Sequence, residues 1–403
     1  MSSKNNLSDT ILVAPVHYFV GKDAASEPSL AYDFLTGTAL SMPNSNFIAL
    51  CGYWDVNSPI PNNVTVVQLL KSPVIDLSLR GRLFFIAKIS WTTQKLIRNN
   101  QPRVVWQMFP NGTISLNFGL FCKSYRAKLV VGPLQVFSGY FPSEIEEGVG
   151  SSRRSMVATR ISTLINGGFV KWLSYNYFQR FDVLVTANSE TSLEFRNYFS
   201  PKILKCSWES VPLRISDHFY TELNVRDPSV VSLLYVGSLN SNKRPLLAVK
   251  VAEALSKRVH AVNLQVVGDG ALHDCLVQYI SEQNLEKIVE LRGQLPSTEV
   301  ATLMARSQFL LHPSLNEGSS LVMTEAMASG CVPVASRLPV YDDILTDLIT
   351  GLAIDDWSDV QAVVTKILTE GLPIANQLAL KSRELVERFR YPRVIDEYVR
   401  ILS

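Results

Sequence analysis

No stretch of this 403-residue chain stays apolar for the ~18 residues that a membrane-crossing helix needs, so a transmembrane protein is not expected. The opening residues, MSSKNNLSDT, carry no apolar run, and no signal peptide is expected there. Cysteine is sparse. Its five copies (Cys51, Cys122, Cys206, Cys275 and Cys331) are scattered with no CxxC pair. That excludes a disulfide framework or a cysteine-held zinc and fits a reducing cytosol. The five histidines (His17, His218, His260, His273 and His312) have no metal-ligand spacing either. Internal repeats of 20–50 residues and low-complexity segments are missing, which excludes a solenoid or a disordered linker protein.

What is present is ordinary globular composition, 47% apolar and 18% charged, in a chain long enough for two domains. Net charge is only +2, yet it is unevenly spread. Residues 1–225 hold 21 Lys+Arg against 15 Asp+Glu, and residues 226–403 hold 17 against 21. A basic half followed by an acidic half suggests domains with different partners.

Short Val/Leu/Ile-rich runs alternate with helical patterns along the chain, the signature of parallel sheets with crossover helices. In the first half, strands are expected over residues 10–20, 47–51, 64–67, 104–108, 129–131, 182–186 and 203–206. Helices are expected over 26–42, 153–180 and 191–199. Residues 71–103 hold seven basic side chains and one acid, Asp76, interleaved with apolar and aromatic residues. Such a segment suits a helix lying on an anionic bilayer, and equally a crossover helix with one core face and one solvated face. Polar residues 217–229 suggest a linker. The expected domains are therefore 1–225, 226–385 and a terminal helix over 386–403 that could pack back on the first domain. In the second half, strands are expected over 233–236, 264–267, 288–291, 309–311 and 332–335. Helices are expected over 245–257, 271–282, 298–305, 360–369 and 375–402, the last broken at Pro392.

The most informative stretch is HPSLNEGSSLVMTEAMASG, residues 312–330. It leaves a buried strand, turns through Pro313, Asn316 and Gly318, and enters a helix after Ser319 and Ser320, which are small polar residues suited to a helix start. Glu317 in the turn and Glu325 in the helix have seven residues between them. A helix N-terminus beyond a parallel strand is a seat for an anion, because its first N–H groups lack partners. Strand-to-helix turns at Gly237 and Gly268 belong on the same rim. Just past Gly237-Ser238, Lys243 could meet a phosphate as a point charge and Arg244 could clasp it bidentately; two solvated bases would also fit. Gly268-Asp269-Gly270 could approach a ligand or simply need positive φ. His17, at the end of the first strand, is a candidate on the other half, alongside a structural role for the same ring.

From residue 182 to 356 the series FDVLVTANSET, SVPLRISDHF, LLYVGSLNSNKRPLLAV, LQVVGDGAL, VELRGQLPSTEV, the 312–330 stretch and TGLAI resembles the family 4 retaining glycosyltransferases. The resemblance implies the GT-B fold, an α/β architecture of two Rossmann-like domains facing across a cleft. It implies a nucleotide-diphosphate sugar as donor, a glycan or lipid-linked hydroxyl as acceptor, a hexose-type sugar transferred with retention, and no metal or other cofactor. By position, Glu317 contacts the transferred sugar and Glu325 holds the ribose hydroxyls. The backbone N–H groups of Ser320 and Leu321 meet the distal phosphate, and Gly318 and Ser319 belong to the same nucleotide-sugar-binding turn. Lys243 and Arg244 neutralise the diphosphate, Gly237, Ser238 and Gly268 line the donor turns, and Arg292, Gly293 and Gln294 lie beside the base. Three positions depart from the family. Ser238 replaces a frequent arginine, Met108 stands near the place of a first-domain histidine, and the glycine-rich loop after the first strand is reduced to Gly21, where His17 could compensate. An epimerase or phosphorylase of the same fold, and a sugar-nucleotide-binding protein without catalysis, are the alternatives. The expected location is cytoplasmic, with a peripheral position on the inner membrane face; no nucleic-acid partner is expected.

Overall fold

A computed structural model describes residues 8–22, 27–72, 79–108, 126–134, 176–199, 206–223, 230–319 and 321–403. The chain divides into two compact units, Met1–Leu213 with Val394–Ser403, and Arg214–Arg393.

In the first unit the described strands are β1 (Ser8–Val13), β2 (Phe19–Val20), β3 (Asn46–Cys51), β4 (Tyr53–Trp54), β5 (Val64–Gln68), β6 (Pro102–Gln107), β7 (Lys128–Leu134), β8 (Val183–Thr186) and β9 (Ser207–Ser210). Seven of them form one sheet in the order β5-β3-β1-β6-β7-β8-β9, every described pairing parallel. The remaining two, β2 and β4, pair with each other. Central strands of such a sheet are covered on both faces and so read as continuous apolar runs; all four residues of β8 are buried. The strand expected over 10–20 is shorter than that. Pro15 has no N–H to give a ladder, β1 ends at Val13, and regular pairing resumes only at Phe19. Polar β9, SWES, was missed because it is an edge strand without an apolar pattern. The helices here are α1 (Glu27–Ser41), α2 (Leu79–Asn100) and α3 (Ser189–Phe199). Of the expected elements, residues 153–175 and 203–205 lie outside the described residues.

The second unit holds β10 (Val230–Val236), α4 (Pro245–Ser256), β11 (Ala261–Val267), α5 (His273–Glu282), β12 (Val289–Gly293), α6 (Ser297–Arg306), β13 (Phe309–His312), α7 (Leu321–Ala328), β14 (Val332–Ser336), β15 (Leu352–Ile354), α8 (Val360–Lys366), α9 (Ala375–Val386) and α10 (Tyr391–Leu402), the last running on into residues of the first unit. Its six parallel strands run β12-β11-β10-β13-β14-β15. Strand order therefore reverses between β10 and β13, the point beyond whose carboxyl ends ligands bind in open α/β sheets. The core beneath gathers Leu233, Tyr235, Leu264, Phe309, Leu311, Val334 and Trp357.

The division falls at Leu213–Arg214, earlier than the expected boundary after residue 225. Residues past Arg214 are already tied into the second unit. Ile215 N–H donates to Phe389 O at 2.9 Å, Tyr220 Oη donates to Val386 O at 2.8 Å, and Ser329 Oγ donates to Phe219 O at 2.9 Å. The expected break at Pro392 also moves: Pro392 sits in the first turn of α10, where its missing N–H costs nothing. A 3-10 turn over Glu387–Phe389 separates α9 from α10.

From Val394 onward α10 belongs to the first unit. Arg103 Nη1 donates to Leu402 O at 2.6 Å and Lys128 Nζ to Ile401 O at 2.6 Å, so two cations meet the helix's carboxyl end, where the backbone dipole favours them. Tyr398 is fully buried against Phe34 (centroids 4.9 Å apart) and Trp106 (5.1 Å). Among the described residues its hydroxyl has no hydrogen-bond partner. Tyr398→Ala should cost about 3–5 kcal/mol in chemical denaturation. Tyr398→Phe should be at least as stable as the parent, since it removes a buried hydroxyl that lacks a partner.

Candidate functional site

The β10-to-α4 turn carries Gly237 through Arg244, and the β13-to-α7 turn carries Pro313 through Ser319. The two are laced together by Asn242. Its backbone O accepts from Leu315 N at 2.8 Å, its side-chain O accepts from Asn316 N at 3.1 Å, and its Nδ2 donates to Asn316 O at 3.0 Å. Asn240 shapes the first turn from within, accepting from Lys243 N at 2.9 Å through Oδ1 and from Arg244 N at 3.1 Å through its backbone O. Arg244 adopts φ +48°, a left-handed conformation unusual outside glycine. This turns its side chain toward the neighbouring loop, where Nε donates to Pro313 O at 2.5 Å and Nη2 to Ser336 Oγ at 3.3 Å. Pro245 then starts α4.

This lacing brings Lys243 to Glu317, and the two form an ion pair. His312, at the end of β13, reaches the same carboxylate oxygen through Nε2 at 3.0 Å. Ser314 Oγ stands 3.3 Å from that nitrogen. The side chains of Glu317 and His312 are 8% and 3% exposed, while Lys243 is 23% exposed. Burial would push the Glu317 carboxyl up; the contacts with His312 and Lys243 outweigh it and hold the group down at about 2. Lys243 and Arg244 are thus both engaged, which removes the reading of two solvated bases.

Glu325, on α7, is half-buried and sits in a different field. Burial pushes its carboxyl up to about 7, opposed by the charge of Arg214. Arg214 itself lies over the Tyr391 ring at 4.9 Å and donates to Ser216 Oγ at 3.2 Å. His312, Arg214 and Asn242 were not singled out from the sequence. The His-x4-Glu spacing across a turn was the available signal for His312; Arg214 lies far from Glu325 in sequence, and no local pattern marks it.

The other expected residues extend along the same carboxyl edge. Gly268 has φ +132°, and a Cβ there would come within 2.0 Å of Gly237 O. Gly237 N–H donates to Val267 O at 3.0 Å, and Gly268 N–H donates to Gly293 O at 2.8 Å, so the turns after β10, β11 and β12 touch through their backbones. Gly268 is therefore required by close packing and positive φ. Ser238 O accepts from Tyr235 Oη at 3.2 Å. Arg292 meets Glu290 Oε1 and Gln265 Oε1, each at 3.3 Å, and Gln294 is exposed beside it. Gly318, Ser319 and Leu321 are half-buried at the entry to α7, and Ser320 lies outside the described residues. Among the described residues no cluster of His, Cys, Asp and Glu is arranged to hold a metal ion.

In the first unit His17 follows β1 in a loop. Its Nδ1 stands 2.9 Å from Phe19 O, and its backbone O accepts from Gly52 N at 3.1 Å. Gly21 is buried, with Asp55 Cβ 3.1 Å from where its own Cβ would stand. Both residues have local structural work. Met108 is buried just beyond β6, its N–H donating to Pro15 O at 3.1 Å.

The two acids give opposite pH signatures. Glu317, with its pKa lowered from 4.5, contributes stability present above pH 4.5 and lost as pH falls toward 2. Glu325, with its pKa raised from 4.5, contributes stability present below pH 4.5 and lost as pH rises through about 7, to a ceiling of about 3 kcal/mol. Glu325→Gln should therefore flatten the fall in melting temperature between pH 5 and 8 (roughly the window set by those two values). An unchanged profile would refute the assignment.

Residues 224–379 match the family described as glycosyl transferases group 1. The chain is 24% identical over 174 residues to a phosphatidylinositol N-acetylglucosaminyltransferase subunit of Arabidopsis thaliana, covering 43% of this chain and 39% of that protein. It is 25% identical over 190 residues to the poly(ribitol-phosphate) alpha-N-acetylglucosaminyltransferase of Staphylococcus aureus (strain COL), covering 46% and 36%. These matches span under two fifths of either relative's length, 39% and 36%. In fold, the chain resembles sucrose-phosphate synthase from Thermosynechococcus elongatus with a TM-score of 0.69 at 15% identity, covering 97% of both chains. Anabaena HepE, solved in complex with UDP, gives 0.64 at 14% identity, covering 98% of this chain and 99% of that one. The two Rossmann-like units are those of the GT-B fold. The family match, residues 224–379, lies within the second unit.

Proposed function

We propose that the protein transfers a hexose-type sugar, with retention of configuration, from a nucleotide-diphosphate sugar to a hydroxyl of a glycan or lipid-linked acceptor. The observation that carries this reading is the buried Glu317 carboxylate held ionised by His312 and Lys243 at the switch point between β10 and β13. That UDP is bound by a protein of the same fold supports the choice of donor. In the proposed reaction the acceptor oxygen bonds to the anomeric carbon as the bond from that carbon to the diphosphate breaks, and the hydroxyl proton passes to the departing phosphate. Lys243 and the N–H groups at the start of α7 stabilise the charge that develops there, as preorganised donors do for an oxyanion. We propose no metal or other cofactor in this step. Glu317 orients the sugar by accepting from its hydroxyls, and Glu325, when ionised, accepts from the ribose. Gly237, Ser238 and Gly268 let backbone approach the donor, and Arg292 and Gln294 flank its base. Arg244 fixes the loop by its bonds to Pro313 and Ser336, so its part is to position Lys243. The workplace is the cytoplasm, on the inner face of an anionic membrane.

A thermal-shift series with UDP, GDP and ADP and their sugars should identify the donor, since a ligand of the native state raises the melting temperature. With that donor and an acceptor, free nucleoside diphosphate should accumulate with glycosylated product. Lys243→Ala, Glu317→Ala and the isosteric Glu317→Gln should each lower turnover by at least about a hundredfold, on the order of 3 kcal/mol. Near-parental rates in a folded variant would sink the proposal. Release of an epimerised or phosphorolysed sugar would point to those activities instead, and binding with no turnover to a sugar-nucleotide carrier.

A further inference from the structure

Helix α2 (Leu79–Asn100) has its burial need met on one side. Phe85, Ile86, Ile89 and Ile97 are buried, and Phe85, Ile89 and Ile97 belong to the first unit's core. Its opposite side would ordinarily be polar. Instead Leu83 is 57% exposed, Phe84 67% and Trp91 65%. Phe84, Lys88, Trp91, Lys95 and Arg98 succeed one another at three- and four-residue steps, so they form a single stripe along the outer face. Cations and rings alternate in contact on it: Lys88 Nζ lies 6.0 Å from the Phe84 ring centroid and Lys95 Nζ 5.5 Å from that of Trp91. Across its sequence, LRGRLFFIAKISWTTQKLIRNN, the helix has five Lys/Arg and no Asp or Glu.

We infer that this stripe is a docking surface for an anionic lipid bilayer, with Phe84, Leu83 and Trp91 entering the headgroup region and Lys95 and Arg98 meeting lipid phosphates. Two features favour a bilayer over an acidic protein or a nucleic acid. Large side chains are exposed side by side on a helix whose opposite face is already buried in the core. The cations also lie among those rings, which is the arrangement of a helix resting in a membrane interface. No helix of the described chain is long and apolar enough to cross the membrane, so the contact proposed is with its surface alone. The inference deepens the membrane placement proposed above by naming the surface. It stands apart from the transferase chemistry, and its test needs no donor.

The full chain should sediment with phosphatidylcholine vesicles containing phosphatidylglycerol at low salt and should stay in solution with phosphatidylcholine alone; added salt should release it. Lys88 is left in place in the variants because its Nζ donates to Leu69 O at 2.6 Å. Lys95→Gln with Arg98→Gln should weaken binding by roughly a factor of thirty. Phe84→Ser with Trp91→Ser should weaken it by at least about tenfold while leaving the melting temperature unchanged. The emission difference between the parent and Trp91→Phe should shift to the blue when anionic vesicles are added. Equal binding to both vesicle types, binding indifferent to these substitutions, or retention on DNA or an acidic protein without vesicle binding would each overturn the inference. Donor-induced stabilisation, measured on the same variants, should match the parent; its absence in the parent would count against the transferase reading alone.

Discussion

A carboxylate that is 8% exposed cannot stand by itself, and most of the second unit's rim follows from how Glu317 is kept charged. Desolvating an unpaired carboxylate costs several kcal/mol, a large fraction of a domain's net stability. His312 can supply one partner because it ends β13, and its strand fixes where its ring stands. Lys243 must be brought from another turn, which imposes the remaining constraints. Asn240 curls the loop, Arg244 accepts a left-handed backbone, and Asn242 ties one loop to the other by three hydrogen bonds. The arginine at φ +48° directly before Pro245 serves the same lacing, its side chain bonding Pro313 O in the neighbouring turn and Ser336 Oγ at the end of β14.

The same motif holds a second acid in the opposite condition. Glu317 is drawn down to about 2 by close donors and a cation, whereas Glu325 is driven up to about 7 by burial that Arg214 only partly offsets. Two carboxyls separated by seven residues are thus set apart in acidity by their surroundings, close donors and a cation for one and burial for the other. An acid permanently ionised at neutral pH suits the steady acceptance of hydrogen bonds from a polar ligand. One that titrates near neutrality gains its charge most readily when a ligand's hydroxyl groups arrive to satisfy it.

Much of this arrangement was legible in the sequence, for reasons that can be named. The strands of the second unit are buried on both faces, so each is written as an apolar run; β13, FLLH, has every residue buried. Turn glycines declared themselves too, Gly268 because its φ of +132° and its 2.0 Å approach to Gly237 O leave no room for a side chain. What escaped notice was carried by position in space. Polar β9 holds an edge by its backbone, which no residue type announces. The unit boundary came earlier than the polar linker suggested, because Ile215, Phe219 and Tyr220 bond into elements more than a hundred residues away. Arg214 escaped for the same reason, its partners Tyr391 and Glu325 being joined to it only by the fold.

Exposure within the Glu317 cluster also bears on how a ligand could enter it. His312 is 3% exposed, Glu317 8% and Lys243 23%, so only the lysine has a face toward solvent. An ammonium on a flexible stem can turn to a phosphate at small cost, whereas an imidazole at the end of a buried strand cannot follow. If a diphosphate draws Lys243 away, Glu317 keeps the bond to His312 and is not left as an uncompensated buried charge. In the proposed reaction the two donors on one carboxylate would divide the labour by their burial: the histidine would maintain the acid's charge and orientation, and the more exposed lysine would be the member lent to the donor. An arrangement with Lys243 alone would have to break its only ion pair to engage a ligand, leaving a bare carboxylate beside the phosphates. His312 makes the exchange feasible, and its place at the strand end, two residues before Ser314, is what the sequence HPSLNEG encodes.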